Sequence, residues 1–290
     1  KTIDNDIFGV AQTFGFDTAV HEAARLLTAI KLDATTSGTW FLVEIMGRYT
    51  GHLALEAGLA AGVTRVLIPE EGAINVEDLV ELVAARQRIN ANWGVVLLAE
   101  STHFGQGYIT RFGRLGGVAE KLAERLDEAV RAREMEASIR FSNLGYFLRS
   151  AEPTGFDKSY AAQLGTSAAR FLLDPVYSGK MVTIEHDQAV GVPIHAVAGK
   201  LKPVDLTGVR YQALKAIERY EAARGELLPE GEVVAGVQKA LAWLAQHCNA
   251  EMVAQTAMRL GISPPGLLRA LEEMSEVATG EAERRGHTAS

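Results

Sequence analysis

The chain has 290 residues and a mass of 31.2 kDa, which is enough for one large domain or two smaller ones. A formal net charge of −7 argues against a nucleic acid or an anionic membrane as its main partner. No apolar run approaches the roughly 18–20 residues of a membrane span. The single cysteine, Cys248, excludes an internal disulfide framework and favours a reducing, cytoplasmic location.

In the first 205 residues, apolar runs of strand length alternate with segments of helical periodicity. The predicted helices are residues 17–30, 50–61, 76–89, 118–133 and 159–172. The predicted strands are residues 40–46, 65–69, 93–99, 138–141 and 181–184. Strands that are apolar along their whole length are typical of parallel sheets. We therefore expect an α/β fold, in which βαβ units form parallel sheets covered by helices.

From about residue 206 onward the pattern is helical, with no convincing strand. The predicted domains are therefore residues 1–205 and an all-helical C-terminal extension at 206–290. Gly261 ends one predicted helix, and Ser263-Pro264 begins the next. Residues 257–271 loosely match a helix-turn-helix pattern, but acidic residues outnumber basic ones between 226 and 290. A helical hairpin that contacts the main domain or another subunit is the preferred interpretation.

Ligands of such sheets bind beyond the carboxyl ends of the strands. Met46, Gly47 and Arg48 lie at the end of one predicted strand, where a glycine permits close backbone approach and a guanidinium suits a phosphate. The alternative is a strand-exit glycine beside a solvated arginine. Arg140 and Arg149 flank the exit of another strand, either as an anion clamp or as two independent surface charges.

The acidic segment Thr2-Ile3-Asp4-Asn5-Asp6 places two carboxylates two residues apart. An extended backbone would aim both the same way, so that one could act as a base while the other helps to hold a cation. The alternative is an Asx-turn or a helix cap.

Histidines offer no metal site in this sequence. No pair has the spacing of zinc ligands, and we assign no metal ligand within the chain. The seven histidines are His21, His52, His103, His186, His195, His247 and His287.

Together these segments resemble the phosphofructokinase family, in matching order and spacing over residues 1–205. The resemblance is carried by TIDND at residues 2–6, TFGFDTA at 13–19, VEIMGR at 43–48, LIPE at 67–70, LAE at 98–100, LGY at 144–146, Arg149, Asp157 and Gly165. It implies a 6-phosphofructokinase, which phosphorylates fructose 6-phosphate at its 1-hydroxyl to fructose 1,6-bisphosphate in glycolysis. It also implies Mg²⁺ as the cofactor, with pyrophosphate or ATP as the phosphoryl donor.

The resemblance implies a role for each matching residue. Asp4 would take the proton from the 1-hydroxyl, and Asp6 would support it and the metal-bound phosphates. Thr2 would touch the transferring phosphoryl group, and Arg48 would face the developing charge. Phosphoryl transfer depends mainly on positioning and charge neutralisation, which this set can supply.

The remaining implied residues bind the sugar phosphate. Those of the sugar-phosphate pocket are Met46, Gly47, Arg48, Glu100 for the sugar hydroxyls, and Arg140, Tyr146 and Arg149 for the 6-phosphate. In the family, the arginine at the Arg140 position often reaches a neighbouring subunit's site, which implies a homo-oligomer with shared sites.

The sequence also departs from the family pattern. Many members have an arginine where this chain has Thr39, so one contact to the 6-phosphate is missing or is supplied elsewhere. Tyr146 replaces a histidine common in bacterial ATP-using members, and Ser150-Ala151 replaces two glycines. Lys1, immediately before TIDND, is typical of pyrophosphate-using members as a donor-binding residue. Lys1, Tyr146 and Thr39 favour pyrophosphate over ATP.

The family's glycine-rich phosphate loop would precede TIDND. Because the chain starts at Lys1 without methionine, we expect that it is the C-terminal portion of a longer protein. We also expect that these 290 residues alone do not phosphorylate fructose 6-phosphate. The alternative function is a non-catalytic phosphofructokinase-like subunit, regulatory or structural, that binds sugar phosphate.

Overall fold

A computed structural model of the chain describes residues 2–105 and 116–223, all within one compact unit, Lys1–Glu226. Lys1, which is expected to bind the donor, lies outside the described residues, as does most of the predicted C-terminal extension, including Gly261 and Ser263-Pro264. None of the described helices is both long and apolar enough to cross a lipid bilayer.

A four-stranded parallel sheet forms the centre of the fold. Its strands are β1 (Thr39–Ile45), β2 (Arg65–Leu67), β3 (Gly94–Ala99) and β4 (Ser138–Asn143), in the spatial order β2-β3-β1-β4. Every residue of β3 is buried, which explains its uninterrupted apolar sequence. The predicted α/β fold with a helix-covered parallel sheet is confirmed.

Helices cover both faces of this sheet. In the first half of the chain these helices are α1 (Phe16–Ser37), α2 (His52–Ala61), α3 (Val76–Arg88) and α4 (Val118–Ala132). Along β3, Val95 and Leu97 join the core under α1 and α2, whereas Val96 and Leu98 join the core under α3 and α4. This alternation follows from the two-residue period of a strand, so one strand contributes side chains to the cores on both faces of the sheet.

The second half of the described chain adds further helices and a two-stranded antiparallel sheet. These are α5 (Gly145–Arg149), α6 (Gly155–Leu172), β5 (Lys180–Glu185), β6 (Gln188–Pro193), α7 (Ile194–Val197) and α8 (Val209–Ala223). Helix α8 lies beyond the predicted boundary at residue 205 and contacts β2, where Glu218 accepts a 2.7 Å hydrogen bond from the Val66 amide.

Some element boundaries differ from the predicted ones. Helix α1 continues seven residues past Ile30, to Ser37, and ends where Gly38 takes a left-handed conformation (φ 66°). Strand β6 was not predicted. It pairs antiparallel with β5 through a turn in which His186 (φ 48°) and Asp187 (φ 64°) are both left-handed. Such turns are usually marked by Asn-Gly or Asp-Gly, so this sequence carried no clear turn signal.

Candidate active site

A cleft of about 1140 Å³ opens at the carboxyl ends of β1, β3 and β4. These strands end just before Met46, Glu100 and Leu144, so the residues that follow them meet at one edge of the sheet. Parallel strands and the βα turns after them make this edge the usual position of a ligand. Of the predicted site residues, the cleft is lined by Thr2, Asp4, Met46, Arg48, Glu100, Tyr146 and Arg149.

Asp6, Gly47 and Arg140 do not line this cleft. The Asp6 carboxylate accepts a weak 3.4 Å hydrogen bond from the Thr2 hydroxyl. Gly47 has φ 149°, and a Cβ there would lie 2.8 Å from the Thr50 carbonyl oxygen, so only glycine fits. Its own carbonyl accepts a 2.6 Å hydrogen bond from Ser101. Gly47 therefore shapes the turn that presents its two neighbours.

Arg140 lies on β4, the edge strand of the described sheet, and is solvent-exposed. Arg149 lies on α5 at the cleft, with its guanidinium 5.4 Å from the centre of the Tyr146 ring. The two arginines thus do not converge on one cleft within a single chain, and a clamp made by both would need a second chain.

The backbone of the acidic segment is kinked at Asn5, not extended as expected. Asn5 has φ 57°, a left-handed conformation that asparagine tolerates better than most residues. The Asp4 amide donates to the Thr2 hydroxyl at 3.1 Å, which makes a local turn. As a result Asp4 faces the cleft while Asp6 does not line it.

Asp4 and Arg48 meet across the cleft edge, where the Arg48 amide donates to the Asp4 Oδ2 at 3.4 Å. Burial raises the pKa of Asp4 above its usual value and the nearby Asp6 charge adds to it, although the Arg48 amide opposes the shift. A raised pKa makes the Asp4 carboxylate a stronger proton acceptor than a solvated aspartate.

Glu100 follows β3 and shares this acidic region. Burial raises its pKa, and the charges of Asp4 and Glu44 raise it further. At this place the carboxylate can accept hydrogen bonds from the hydroxyl groups of a polyol, and its protonated form can also donate one.

A buried carboxylate that was not singled out from the sequence, Glu44, supports the cleft from within β1. It is 1% exposed and accepts hydrogen bonds from the amides of Gly117 and Ala119, at 3.0 and 3.1 Å, and from the Asn143 side chain at 2.7 Å. Asn143 in turn accepts from the Gly145 amide at 2.8 Å. Glu44 thereby joins the N-terminus of α4 to the start of α5, the helix that ends in Arg149. In the sequence it stands as a lone charge inside an apolar strand, within the VEIMGR motif, to which no role was assigned at this position.

Asp157 anchors the opposite wall of the cleft. It is 4% exposed, and it accepts 2.7 Å hydrogen bonds from the amides of Gly15 and Thr18, and a 2.5 Å bond from the Thr18 hydroxyl. These bonds join α6 to the N-terminus of α1. Lys158, the next residue, also lines the cleft and pairs with Glu152 at 2.6 Å; no sequence motif had marked it.

Thr39, which stands where many family members have arginine, is 1% exposed at the start of β1. Its hydroxyl contacts the Ser138 hydroxyl at 3.3 Å. At about 3.3 Å per residue, the seven-residue strand puts Thr39 roughly 20 Å from the cleft at the other end of β1. A side chain at position 39 therefore cannot reach a phosphate that is bound in the cleft of its own chain.

Within residues 2–105 and 116–223, no group of three or more His, Cys, Asp or Glu side chains converges as a metal site. The carboxylates that line the cleft are Asp4, Glu100 and Asp157, with Asp6 two residues from Asp4. Mg²⁺ commonly takes one or two carboxylates and completes its shell with water and substrate phosphates. The residues present therefore fit a magnesium ion that is held largely by phosphate.

The fold and cleft are those of an α/β protein that binds its ligand at the end of a parallel sheet. A family model described as phosphofructokinase matches residues 1–172, and the chain belongs to the phosphofructokinase family. The ATP-dependent 6-phosphofructokinase of Chloroflexus aurantiacus is 34% identical over 207 residues, which are 70% of this chain and 56% of that protein. ATP-dependent 6-phosphofructokinase 2 of Streptomyces coelicolor is 34% identical over 213 residues, covering 70% of this chain and 60% of that one.

Solved structures agree with this fold. The pyrophosphate-dependent phosphofructokinase from Marinobacter aquaeolei superposes with a TM-score of 0.61 at 22% identity, over 77% of this chain and 58% of that one. Phosphofructokinase from Saccharomyces cerevisiae gives a TM-score of 0.58 at 21% identity, over 77% of this chain and 28% of that one. The chain spans a little over half the length of the Chloroflexus relative, 56%.

Proposed function

We propose that the chain supplies the sugar-phosphate half of a 6-phosphofructokinase, which transfers a phosphoryl group to the 1-hydroxyl of fructose 6-phosphate. The observation that carries the proposal is the convergence of Asp4, Arg48, Glu100 and Arg149 on one cleft from four separate parts of the chain. A carboxylate base beside cationic groups is the combination that such a transfer needs.

In this proposal Asp4 accepts the proton of the 1-hydroxyl as the oxygen attacks the phosphoryl group. Its raised pKa suits the task, and the hydrogen bond from the Arg48 amide fixes the orientation of its carboxylate. Thr2 and Asp6 act beside it, and the Arg48 guanidinium faces the charge that develops on the transferred group.

The substrate is held by the opposite side of the cleft. Arg149 binds the 6-phosphate and its stacking on Tyr146 orients the guanidinium, while Glu100 binds sugar hydroxyls and Met46 lines the ring. Arg140 lies on an edge strand beside the exposed Phe141, so we assign it to the 6-phosphate site of a second copy in a homo-oligomer.

Magnesium would be held by the donor phosphates with help from Asp6, and when bound it would neutralise phosphate charge. Lys1, Tyr146 and Thr39 favour pyrophosphate, whereas the curated relatives are named ATP-dependent. With pyrophosphate the glycolytic step is reversible, so the donor also determines whether the enzyme can run in both directions.

The experiment is an assay of the product of the complete gene with fructose 6-phosphate, Mg²⁺ and either pyrophosphate or ATP. Formation of fructose 1,6-bisphosphate with either donor supports the proposed activity, and the preferred donor identifies the subclass. Binding of fructose 6-phosphate without turnover would favour the alternative, a non-catalytic subunit.

We place the protein in the cytoplasm, in keeping with its single cysteine.

A further inference from the structure

The segment 201–204 contacts two parts of the chain beside the cleft. One is the loop of residues 2–11, called the acidic loop below, and the other is the start of α2. Leu201 makes an isolated antiparallel bridge with Ile7, and the Lys202 amide donates to the Asp6 carbonyl at 3.0 Å. The Lys202 carbonyl lies 2.9 Å from the His52 Nε2, at the start of α2 and just after the Arg48 turn. This segment therefore ties the acidic loop to the helix that follows the Arg48 turn.

Glu70 makes a second connection between the segment 201–204 and the turn that follows β1. Its Oε1 accepts from the Val204 amide at 2.9 Å, and its carboxylate accepts from the Gly51 amide at 3.0 Å. Gly51 has no room for a side chain, because a Cβ there would lie 2.3 Å from Ile68. The 201–204 segment and the Arg48 turn are thus fixed to the same carboxylate.

The Lys202 ammonium holds the acidic loop directly. Its Nζ donates to the Asn5 Oδ1 at 3.1 Å, to the Val10 carbonyl at 2.8 Å and to the Ala11 carbonyl at 3.1 Å. A protonated lysine has three N–H donors, and here each has an acceptor in one loop.

Asn5 connects Lys202 to the two carboxylates, because it lies between Asp4 and Asp6. Its side-chain oxygen is shared between Lys202 and the Thr13 amide, which lies 3.0 Å away, and the residue is only 7% exposed. Asn5 also carries the left-handed kink between Asp4 and Asp6. Fixing the Asn5 side chain therefore fixes the kink, and with it the directions of both carboxylates.

We infer that Lys202 is a positioning residue, whose ammonium clamps the loop of residues 5–11 and so holds Asp4 and Asp6 in the geometry for proton transfer. The inference rests on the proposed function, in which Asp4 is the base. Lys202 does not line the cleft and is assigned no contact with substrate. Its effect should therefore fall on kcat and leave the binding of the sugar phosphate by Arg149 unchanged.

The test compares Lys202→Met, Lys202→Arg and Lys200→Met in the product of the complete gene. Lys200 is a matched control, because it lies two residues before Lys202 and its ammonium is placed over the exposed Phe8 ring, at 5.3 Å, rather than on a polar group of the loop. We expect Lys202→Met to lower kcat on the order of 10- to 100-fold, since a misplacement of about 1 Å can cost about 100-fold. The KM for fructose 6-phosphate should stay within about twofold of wild type. Lys202→Arg should restore most of kcat, and Lys200→Met should behave as wild type.

Three results would overturn the inference: an unchanged kcat in Lys202→Met, a KM that rises as much as kcat falls, or an arginine variant no better than methionine. If Lys202→Met does not fold, Lys202→Gln, which keeps two donors, takes its place under the same criteria.

A separate measurement keeps this inference distinct from the proposed activity. If the wild-type gene product makes no fructose 1,6-bisphosphate, the proposed function fails, and hydrogen exchange of the Thr13 amide then tests the clamp in the 290-residue chain. Faster exchange in Lys202→Met than in Lys200→Met supports the clamp, and equal exchange in the two variants overturns it.

Discussion

The main-chain amide of Arg48 lies 3.4 Å from the Oδ2 of Asp4, although the two residues are 44 positions apart in the sequence. One side of the contact comes from the acidic loop and the other from the turn after β1. The proposed base is thus held by the same turn that presents the proposed phosphate-facing guanidinium. Any change that moves one of these loops should disturb the chemistry at the other.

Replacing the proposed base tests this contact most simply. We expect Asp4→Asn to lower kcat by about 10²- to 10⁴-fold, the usual range for losing a general base. Binding of fructose 6-phosphate should change little, because asparagine keeps the size and the hydrogen-bond acceptor. Asp33→Asn, at an exposed position on α1, serves as the control. Steady-state kinetics of the complete gene product would contradict the assignment if Asp4→Asn kept wild-type kcat.

The pH dependence follows from the raised pKa of Asp4. Protonation removes the base, so activity is lost as the pH falls through that pKa, and the loss should occur at higher pH than for an ordinary aspartate. Burial and the Asp6 charge both raise the value. Asp6→Asn should therefore shift the acidic limb of kcat/KM to lower pH, whatever its effect on the maximum rate. A shift to higher pH in this variant would disprove the stated cause.

Arg149 is expected to provide much of the affinity for the 6-phosphate. Arg149→Met should weaken binding of fructose 6-phosphate by roughly 10- to 100-fold, since hydrogen bonds to charged groups are worth about 1.5–3 kcal/mol. Isothermal titration calorimetry measures the loss, with Arg25→Met, on the exposed face of α1, as the control. Equal affinities for the two variants would remove Arg149 from the phosphate site.

Arg140 should behave differently, because it lies on the edge strand away from its own cleft. If it serves a neighbouring copy, Arg140→Met and Asp4→Asn proteins should each be impaired alone. Mixed and reassembled, they should regain activity, because some clefts then combine an intact Asp4 with an intact Arg140. A mixture no more active than the sum of its parts would exclude this shared site.

Asp157 should matter for stability as well as for the shape of the cleft. Asp157→Ala leaves the partly buried Gly15 amide and the buried Thr18 amide without their acceptor and is expected to lower the free energy of unfolding by about 2–4 kcal/mol. Urea unfolding with Asp33→Ala as the control measures the difference. A change below about 1 kcal/mol would show that water replaces the carboxylate at little cost.

Much of the fold could be predicted because its central strands are buried on both faces. The apolar runs that became β1 and β3 could be identified from composition alone, and the residues just after them gave Arg48 and Glu100. Strand β6 was missed because its preceding turn uses His186 and Asp187 in conformations usually reserved for Asn and Gly.

The supporting residues of the site were harder to predict. Lys202 contacts Asn5 from 197 positions away and belongs to no motif, so only the folded chain brings them together. The kink at Asn5 was also missed, because an isolated acidic segment does not indicate that distant groups will hold it in a left-handed conformation. Local sequence patterns predicted the groups that face the cleft, whereas the groups that orient them depend on long-range packing.

The most direct measurement is calorimetric titration of the 290-residue chain with fructose 6-phosphate and, in parallel, with fructose. It needs no phosphoryl donor and so tests the sugar-phosphate half by itself. The account predicts saturable binding of fructose 6-phosphate, weakened by Arg149→Met, and no measurable binding of fructose. Equal binding of the two sugars, or no binding of fructose 6-phosphate, would contradict it.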